Sequence, residues 1–377
     1  MERVKDNDII VGSPIPWDAY DEKGELLLRE GDVMESETEL NALIESGLFH
    51  LETQGDVETT YAIESSTSPF EMLEGVQKIL SRLFNGVPAE LTSNFPSKII
   101  NLGRTIQQAC EKDMDASLGV ILLSRTYPYT ISHPVNAAII CETITRHLQW
   151  EEDDRLSLLA ATLTANIAMI DLQERLYAQK EPLSTEQRDQ IYEHPVQGVE
   201  ILQKCGVTNK MWLDIVHFHH EAINGSGYPS GLRKSAIPIG SRILAVADHY
   251  CAGVSNRKYR TALSPNDAML EIYLSSGQRV EPNIMNICVK LIGVYPPGSF
   301  VRLVNNEIAV VTQRGKKTNV PIVQSVVRAD GTLFSTPQER DCSQEEFGVK
   351  DLILTDQDKV NIDPTELWGY REMLTRN

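Results

Sequence analysis

Residues 219–229 read HHEAINGSGYP, two adjacent histidines followed by a loop that contains two glycines and ends in Tyr228-Pro229. Neighbouring side chains cannot share one face of a helix, so both imidazoles reach one metal only where a helix ends and the backbone turns. Gly225 and Gly227 supply that freedom, because glycine takes positive φ angles and permits close approach of the backbone. Pro229 then restricts the exit from the loop. An adjacent pair of histidines is by itself a weak metal signal, and it fits one metal only at such a turn after a helix.

Size and composition limit the possible classes of protein. The chain has 377 residues, which is enough for two or three domains, and its 41% hydrophobic and 6% aromatic content is typical of a helix-rich soluble protein. A net charge of −18 argues against a nucleic-acid partner, because such binding needs clustered Lys and Arg. The N-terminus lacks the apolar core of a signal peptide, and no uninterrupted apolar run is long enough to cross a bilayer. We therefore predict a cytoplasmic protein without a membrane partner.

The cysteines are widely spaced and form no Cys-x-x-Cys pair. Such spacing in a cytosolic chain favours reduced, buried thiols over disulfides or a zinc ribbon. The six positions are Cys110, Cys141, Cys205, Cys251, Cys288 and Cys342.

The N-terminal region has the pattern of a small α/β domain over residues 1–53. A strand-like apolar run occurs at Ile9–Val11, and Ser36 with Glu39 forms a capping box that predicts the start of a helix. Residues 54–69 are polar and rich in turn formers. This segment is predicted to be a linker.

Helix signals dominate residues 70–296. Pro134 suits the first turn of a helix, Ser184 with Gln187 forms a second capping box, and Pro265 begins a further helix. A succession of such segments predicts an all-helical bundle.

After residue 296 the pattern changes to short β-rich runs. These runs are at residues 300–303, 308–311 and 320–327, and Asp330-Gly331 is typical of a hairpin turn. A helix-like stretch, 364–374, follows. The predicted fold is therefore mostly α: a central helical bundle, the small N-terminal α/β domain, and a β-rich extension with a tail helix over residues 297–377.

The glycine loop, continued by Ser230-Gly231-Leu232 and later by the run 243–248, resembles the HD-GYP family. Members of this family are bacterial metal-dependent phosphodiesterases that act on the second messenger cyclic di-GMP. The resemblance covers roughly the middle half of the chain. It implies that the helical bundle has the HD-domain fold.

The resemblance also implies a set of metal-binding positions. Five residues fall where the family has the ligands of its dinuclear centre: His133, His194, His219, His220 and Asp248. Each histidine taken singly is more often a capping or surface residue. Together, in the family's order, they are expected to converge in space.

The chain departs from the family where the latter has His-Asp-x-Gly-Lys. When the helix Leu158–Leu163 is used as the anchor, Thr164 takes the histidine position, Ala165 the aspartate position and Ala168 the lysine position. Two dications about 4 Å apart repel by roughly 17 kcal/mol at an effective dielectric of about 20, so they need anionic bridges. We therefore expect no dinuclear centre and assign no catalytic residue. One divalent ion (Zn²⁺, Fe²⁺ or Mn²⁺) on the three-histidine subset and no metal at all remain equal alternatives.

Ligand recognition is predicted to be better preserved than catalysis. Arg257 and Arg260 resemble the family's Arg-Pro-Tyr-Arg segment and would bind phosphate, although cations at a helix end that pair with nearby acids fit the pattern equally well. Tyr228 would contact a guanine face or pack under the loop. Asn224 stands where the family usually has aspartate.

These expectations define two functional hypotheses. The first is a degenerate HD-GYP protein of cyclic di-GMP signalling that binds a ligand or docks a protein, with weak or no hydrolysis. The second is an active phosphodiesterase with a mononuclear centre. Expected partners are cyclic di-GMP or a related small phosphate ligand, signalling proteins, and a second copy in a homodimer.

Overall fold

The computed structural model describes residues 2–3, 19–21, 26–28, 36, 49–50, 67–85, 94–124, 126–255, 262–353 and 362–370. Its backbone contacts divide the chain into two compact units, Met1–Glu64 and Ser65–Asn377. The division falls inside the stretch predicted as a linker. The helices and the C-terminal strands belong to the same unit.

The N-terminal unit contains a four-stranded antiparallel sheet in the order β1-β4-β2-β3. Its strands are β1 (Glu2–Arg3), β2 (Ala19–Tyr20), β3 (Leu26–Leu28) and β4 (Phe49–His50). The strand predicted at Ile9–Val11 and the helix predicted after Ser36 lie outside the described residues.

The second unit begins with the helices that form the bundle. They are α1 (Pro69–Asn85), α2 (Phe95–Lys112), α3 (Met114–Leu123), α4 (Tyr129–His147), α5 (Glu152–Thr164), α6 (Ile170–Ala178), α7 (Thr185–Lys204), α8 (Lys210–Phe218), α9 (Ile239–Gly253), α10 (Pro265–Ser275) and α11 (Pro282–Ile292). The short 3₁₀ helix Ile167–Met169 connects α5 to α6. The predicted helical bundle is confirmed.

Helices α4 and α5 form the centre of this bundle. Helix α4 packs against α1, α2, α5 and α9, whereas α5 packs against α2, α4 and α8. From Leu156 to Thr164 every residue of α5 is buried, which is expected for a helix that is apolar on all sides. The stretch Glu152–Ala178 is long and apolar enough to cross a membrane by length and composition, but 67% of its most apolar window is buried inside the fold. Packing within the bundle accounts for its apolar character.

The C-terminal strands form a five-stranded antiparallel sheet in the order β8-β7-β6-β5-β9, which confirms the predicted β-rich extension. The strands are β5 (Phe300–Leu303), β6 (Ile308–Gln313), β7 (Ile322–Val327), β8 (Leu333–Asp341) and β9 (Val349–Leu352), and the tail helix α12 spans Pro364–Leu367. Because successive side chains alternate between faces, Val301 and Leu303 enter one apolar cluster and Phe300 enters another. Arg314 joins the sheet to α3 through an ion pair with Asp115.

All six cysteines are buried and unpaired. The sequence prediction that these thiols are buried is therefore confirmed. Burial raises the pKa of Cys110 and Cys141 to about 12, so these thiols are poor nucleophiles at neutral pH.

Candidate metal centre

His194 and His219 approach each other from α7 and from the end of α8. The Nδ1 atom of His194 lies 2.7 Å from the carbonyl oxygen of Ile191, and Nδ1 of His219 lies 2.6 Å from that of Val216. A carbonyl oxygen can only accept a hydrogen bond, so each Nδ1 must carry the proton. Each Nε2 therefore presents a lone pair.

The two Nε2 atoms face each other at 3.2 Å. Two unprotonated nitrogens at this separation repel and cannot form a hydrogen bond. A tetrahedral ion bound by nitrogens at 2.0–2.1 Å separates its ligands by about 3.3 Å, which is close to the observed spacing. His220 completes the group, because one ligand atom from each of the three histidines lies within 4.8 Å of the others. The donor set fits a divalent ion better than it fits metal-free packing.

Burial keeps these imidazoles neutral. Burial, reinforced by the neighbouring His219, lowers the pKa of His194 to about 3. The pKa of His219 is also lowered by burial, and that of His220 is lowered well below its usual value by burial and by His219. Neutral imidazole is the form that binds a metal, so protons do not compete for these lone pairs at neutral pH.

The glycine loop is fixed by contacts that explain its composition. A Cβ atom on Gly227 would lie 2.3 Å from the amide nitrogen of Ala222, so no other residue fits there. Gly225 has φ of +81°, a conformation that favours glycine. The carboxylate of Glu221 accepts hydrogen bonds from the amides of Ser230 and Leu232, at 2.7 and 2.8 Å. Sequence analysis did not single out Glu221, although its place directly after the two histidines was a signal.

The two motif residues within the loop differ in their surroundings. Asn224 is exposed, and its side-chain oxygen accepts a hydrogen bond of 2.9 Å from the amide of Ser226. Tyr228 packs its ring 4.8 Å from that of His220 and 4.6 Å from that of Tyr192, and it also lines a neighbouring cavity of about 510 Å³. Asn224 thus holds the turn, whereas Tyr228 combines loop packing with a place in the cavity wall.

His133 and Asp248 form a second pair beside the three histidines. Nε2 of His133 lies 2.8 Å from Oδ1 of Asp248, and His133 is only 3% exposed. Burial alone would raise the pKa of Asp248, but the hydrogen bond and charge of His133, with the nearby His220, outweigh burial and hold that pKa well below its usual value. Asp248 is therefore an anion at neutral pH. It is the carboxylate available to the centre from α9.

A cavity of about 510 Å³ opens beside this pair. Its wall includes His133, His220 and Asp248, together with Lys180 from the segment after α6. Stacked rings line one side of the cavity. The ring centroids of Tyr129 and His133 are 4.7 Å apart. Tyr129 also lies 5.4 Å from the ring of Tyr177. The cavity thus combines imidazole and carboxylate side chains with flat aromatic surfaces.

Between α5 and α6, the residues that line the cavity are Asn166 and Met169. Thr164 faces elsewhere: it is fully buried, and its Oγ1 accepts a hydrogen bond of 2.8 Å from the indole of Trp212. The Oδ1 atom of Asn166 is buried and has no hydrogen-bond partner among the described residues. Sequence analysis had given the motif positions to Thr164, Ala165 and Ala168, and it missed Asn166 and Met169. The signal for them was their separation of three residues, which equals that of the aspartate and lysine in the family motif.

The buried contact of Thr164 leads to a stability prediction. Thr164→Val should lower the free energy of unfolding by about 1–3 kcal/mol, because the buried Trp212 donor would lose its acceptor. Thr145→Val is the matched control, since Thr145 is also fully buried but its Oγ1 bonds only to carbonyls of its own helix. Denaturant unfolding of both variants measures the difference. Equal losses would show that the indole contact contributes nothing.

The proposed phosphate-binding pair Arg257 and Arg260 lies outside the described residues, which omit positions 256–261.

Residues 120–284 match the family model of the HD domain. Among curated proteins, the cyclic di-GMP phosphodiesterase PA4108 of Pseudomonas aeruginosa is 26% identical over 260 residues, which cover 69% of this chain and 61% of that protein. The cyclic di-GMP phosphodiesterase PdeB of Borreliella burgdorferi is 22% identical over 228 residues, covering 60% of each chain. The chain thus spans about six tenths of the length of these relatives.

Among solved structures, the HDG"Y"P protein Bd1817 from Bdellovibrio bacteriovorus matches with a TM-score of 0.52. The match covers 75% of this chain and 96% of that one at 15% identity, which shows a shared fold alone. The helical unit is therefore an HD domain. With its glycine loop and these relatives, the chain is similar to proteins of the HD-GYP family.

Proposed function

We propose that this protein binds cyclic di-GMP, or a closely related cyclic dinucleotide, in the 510 Å³ cavity, with weak or no hydrolysis. The observation that carries the proposal is the identity of Asn166 and Met169 in the cavity wall. Both are neutral at positions where a phosphodiesterase of this family is expected to have a carboxylate and a cation. The names of the curated relatives supply the ligand class.

The spacing of the two residues supports this assignment of positions. In His-Asp-x-Gly-Lys the aspartate and the lysine are three residues apart, as are Asn166 and Met169. The motif then aligns with Ala165-Asn166-Ile167-Ala168-Met169, one residue later than the sequence anchor indicates. In this register the histidine is replaced by Ala165, the bridging aspartate by Asn166, and the lysine by Met169.

A single divalent ion fits the remaining donors. His194, His219 and His220 would hold it through three neutral imidazoles, a donor set that suits Zn²⁺ or Fe²⁺ better than Mn²⁺. Such an ion supplies a polarised water and a positive charge near the phosphate. A second ion lacks its bridge, because the amide of Asn166 is neutral and Asp248 is already hydrogen-bonded to His133.

The cavity retains features suited to ligand binding. Tyr129 and Tyr177 present stacked rings on which a nucleobase can lie, and stacking of a base on an aromatic ring is worth about 1–3 kcal/mol. Among the described residues that line the cavity, Lys180 is the one lysine or arginine. We assign Lys180 to a phosphate group of the ligand.

Binding without turnover is the expected result for the purified protein. Calorimetry should detect cyclic di-GMP binding, while linear-product formation with excess Fe²⁺ or Mn²⁺ should stay far below the common enzyme range of about 1–1000 s⁻¹. Tyr177→Ala and Lys180→Ala should each weaken binding by roughly tenfold. Lys204→Ala, which removes an exposed cation at the end of α7, serves as the control. Turnover near 1 s⁻¹ in the parent would contradict the proposal.

The second candidate is a phosphodiesterase with a mononuclear centre. The facing Nε2 atoms of His194 and His219 favour it, since they provide a place for an ion. In that case the cation of Lys180 would steady the charge that develops on the phosphate. The turnover measurement separates the two candidates. A cytoplasmic location, signalling-protein partners and a homodimer remain predictions.

A further inference from the structure

A second cavity, of about 370 Å³, lies between α2, α4 and α5. It shares no lining residue with the larger cavity. Three arginines (Arg104, Arg146, Arg155) and three glutamates (Glu111, Glu142, Glu152) line it, so its charge is balanced. Its volume lies within the roughly 300–1000 Å³ range of small-molecule sites.

The floor of this cavity contains buried polar atoms without hydrogen-bond partners among the described residues. They are Oε2 of Glu142, Nε2 of Gln107 and Nε of Arg155. Glu142 is completely buried and Gln107 is 8% exposed. The Gln107 amide lies near the Glu142 carboxylate, but its Nε2 makes no hydrogen bond of ordinary geometry. An unsatisfied buried polar group destabilises the folded protein, so three of them in one place indicate a missing polar occupant.

The three atoms specify what the occupant must offer. Burial raises the pKa of Glu142, but the guanidinium of Arg155 is hydrogen-bonded to Oε1 and favours the ionised carboxylate. Oε2 then needs a donor, while Nε2 of Gln107 and Nε of Arg155 need acceptors. The occupant must therefore present an N–H group next to an atom that accepts two hydrogen bonds.

The rim of the cavity adds two further requirements. Trp150 offers an indole ring at the wall, and the exposed Arg104 and Arg146 offer guanidinium groups. The ion pair of Arg146 with Glu111 is long, at 3.8 Å, and 42% of the arginine side chain is exposed. Guanidinium groups bind phosphate oxygens well, and aromatic rings stack on planar bases.

We propose that this second cavity binds a guanine mononucleotide with its base inward. Guanine provides the required donor and acceptor, because its N1–H and N2–H groups donate along the edge on which O6 accepts two hydrogen bonds. Adenine fits less well, since each of its ring nitrogens accepts one hydrogen bond and the cavity requires an atom that accepts two. The base stacks on Trp150, and the phosphate binds Arg104 and Arg146. This inference does not rest on the ligand of the larger cavity.

Binding of GMP to the full-length protein tests the proposal. We expect saturable binding by calorimetry, a rise in melting temperature, and quenching of Trp150 fluorescence on stacking. AMP should bind at least about tenfold more weakly than GMP, and inorganic phosphate at equal concentration should not displace it. If GMP does not bind at millimolar concentration, water fills the cavity and the proposal is wrong.

Variants at the rim locate the site without disturbing the buried ion pair. Arg104→Ala and Arg146→Ala should each weaken GMP binding by roughly tenfold, because each removes a charge-assisted contact. Trp150→Phe should abolish most of the quenching. Arg188→Ala, an exposed arginine on α7, should change nothing. GMP affinity that is unaltered by all three rim variants contradicts the assignment.

His219→Ala separates this proposal from the proposed function. It removes a residue of the larger site and leaves the second cavity intact, so GMP binding should persist in this variant. If GMP binding disappears together with metal content, the nucleotide occupies the larger cavity and the second-site proposal is wrong.

Discussion

The triple variant Ala165→His, Asn166→Asp, Met169→Lys is expected to bind more metal and to cleave cyclic di-GMP faster than the parent protein. Asn166→Asp places an anion in the cavity wall, where it can offset the repulsion of roughly 17 kcal/mol between two dications. Ala165→His adds a terminal ligand, and Met169→Lys adds a cation for the phosphate. Because loss of one group that stabilises developing charge costs about 100–1000-fold in rate, we expect a gain of at least about 100-fold.

The same chemical groups placed one residue earlier provide the matched control. Thr164→His, Ala165→Asp, Ala168→Lys follows the alternative register and directs its first side chain toward Trp212 rather than the cavity. This control should be less stable than the parent and gain no metal. Metal content by mass spectrometry and product formation are compared in the three proteins. A gain in the control but not in the first variant would show that Thr164 and Ala165 hold the motif positions after all.

His219→Ala is expected to remove the metal from the parent protein. His219 provides one of the two Nε2 atoms that face each other at 3.2 Å, and no other described side chain completes that pair with His194. Even changes outside the ligand set commonly cost 10–100-fold in metal affinity, so loss of a ligand should cost more than about 100-fold. Metal content after dialysis, with titration of Zn²⁺ and Fe²⁺, measures the effect.

His217→Ala is the control for this loss. His217 lies two residues earlier and packs against the ring of Phe218 at 4.5 Å, outside the three-histidine group. Its removal should leave metal content unchanged. His133→Ala should also retain the metal, because His133 is hydrogen-bonded to Asp248 rather than grouped with the three histidines. If His133→Ala empties the site as fully as His219→Ala, the ligand set includes His133 and our three-histidine assignment is wrong.

Much of the fold follows from local patterns. The strand at Phe300–Leu303 and the capping box at Ser184 occur where the sequence predicts them, since alternation and capping depend on neighbours in the chain. The glycine loop was equally clear, because a Cβ at Gly227 would collide with the backbone of residues only five to seven positions earlier. Such contacts join residues that are close in the chain, so they can be predicted from the sequence.

The candidate site could be predicted only in part. The sequence identified His194, His219 and His220, whose ligand atoms lie together, because their order and flanking residues match the family motif. It did not identify Asn166 and Met169. A helix turns by 100° per residue, so an alignment error of one position moves a side chain from the cavity wall to a packed interface. The sequence of residues 158–163 does not indicate on which side of the helix the cavity lies.

The sequence by itself determined the resemblance to the HD-GYP family, the helical bundle with its β-rich extension, and the glycine turn that follows the two histidines. These features depend on spacing along the chain. Only the tertiary structure decided that Thr164 bonds to Trp212 while Asn166 faces the larger cavity. It alone brought Gln107, Glu142 and Arg155 from three helices to the second cavity. Both outcomes depend on how α2, α4, α5 and α8 rotate against one another, and that rotation is set by packing between residues far apart in the chain.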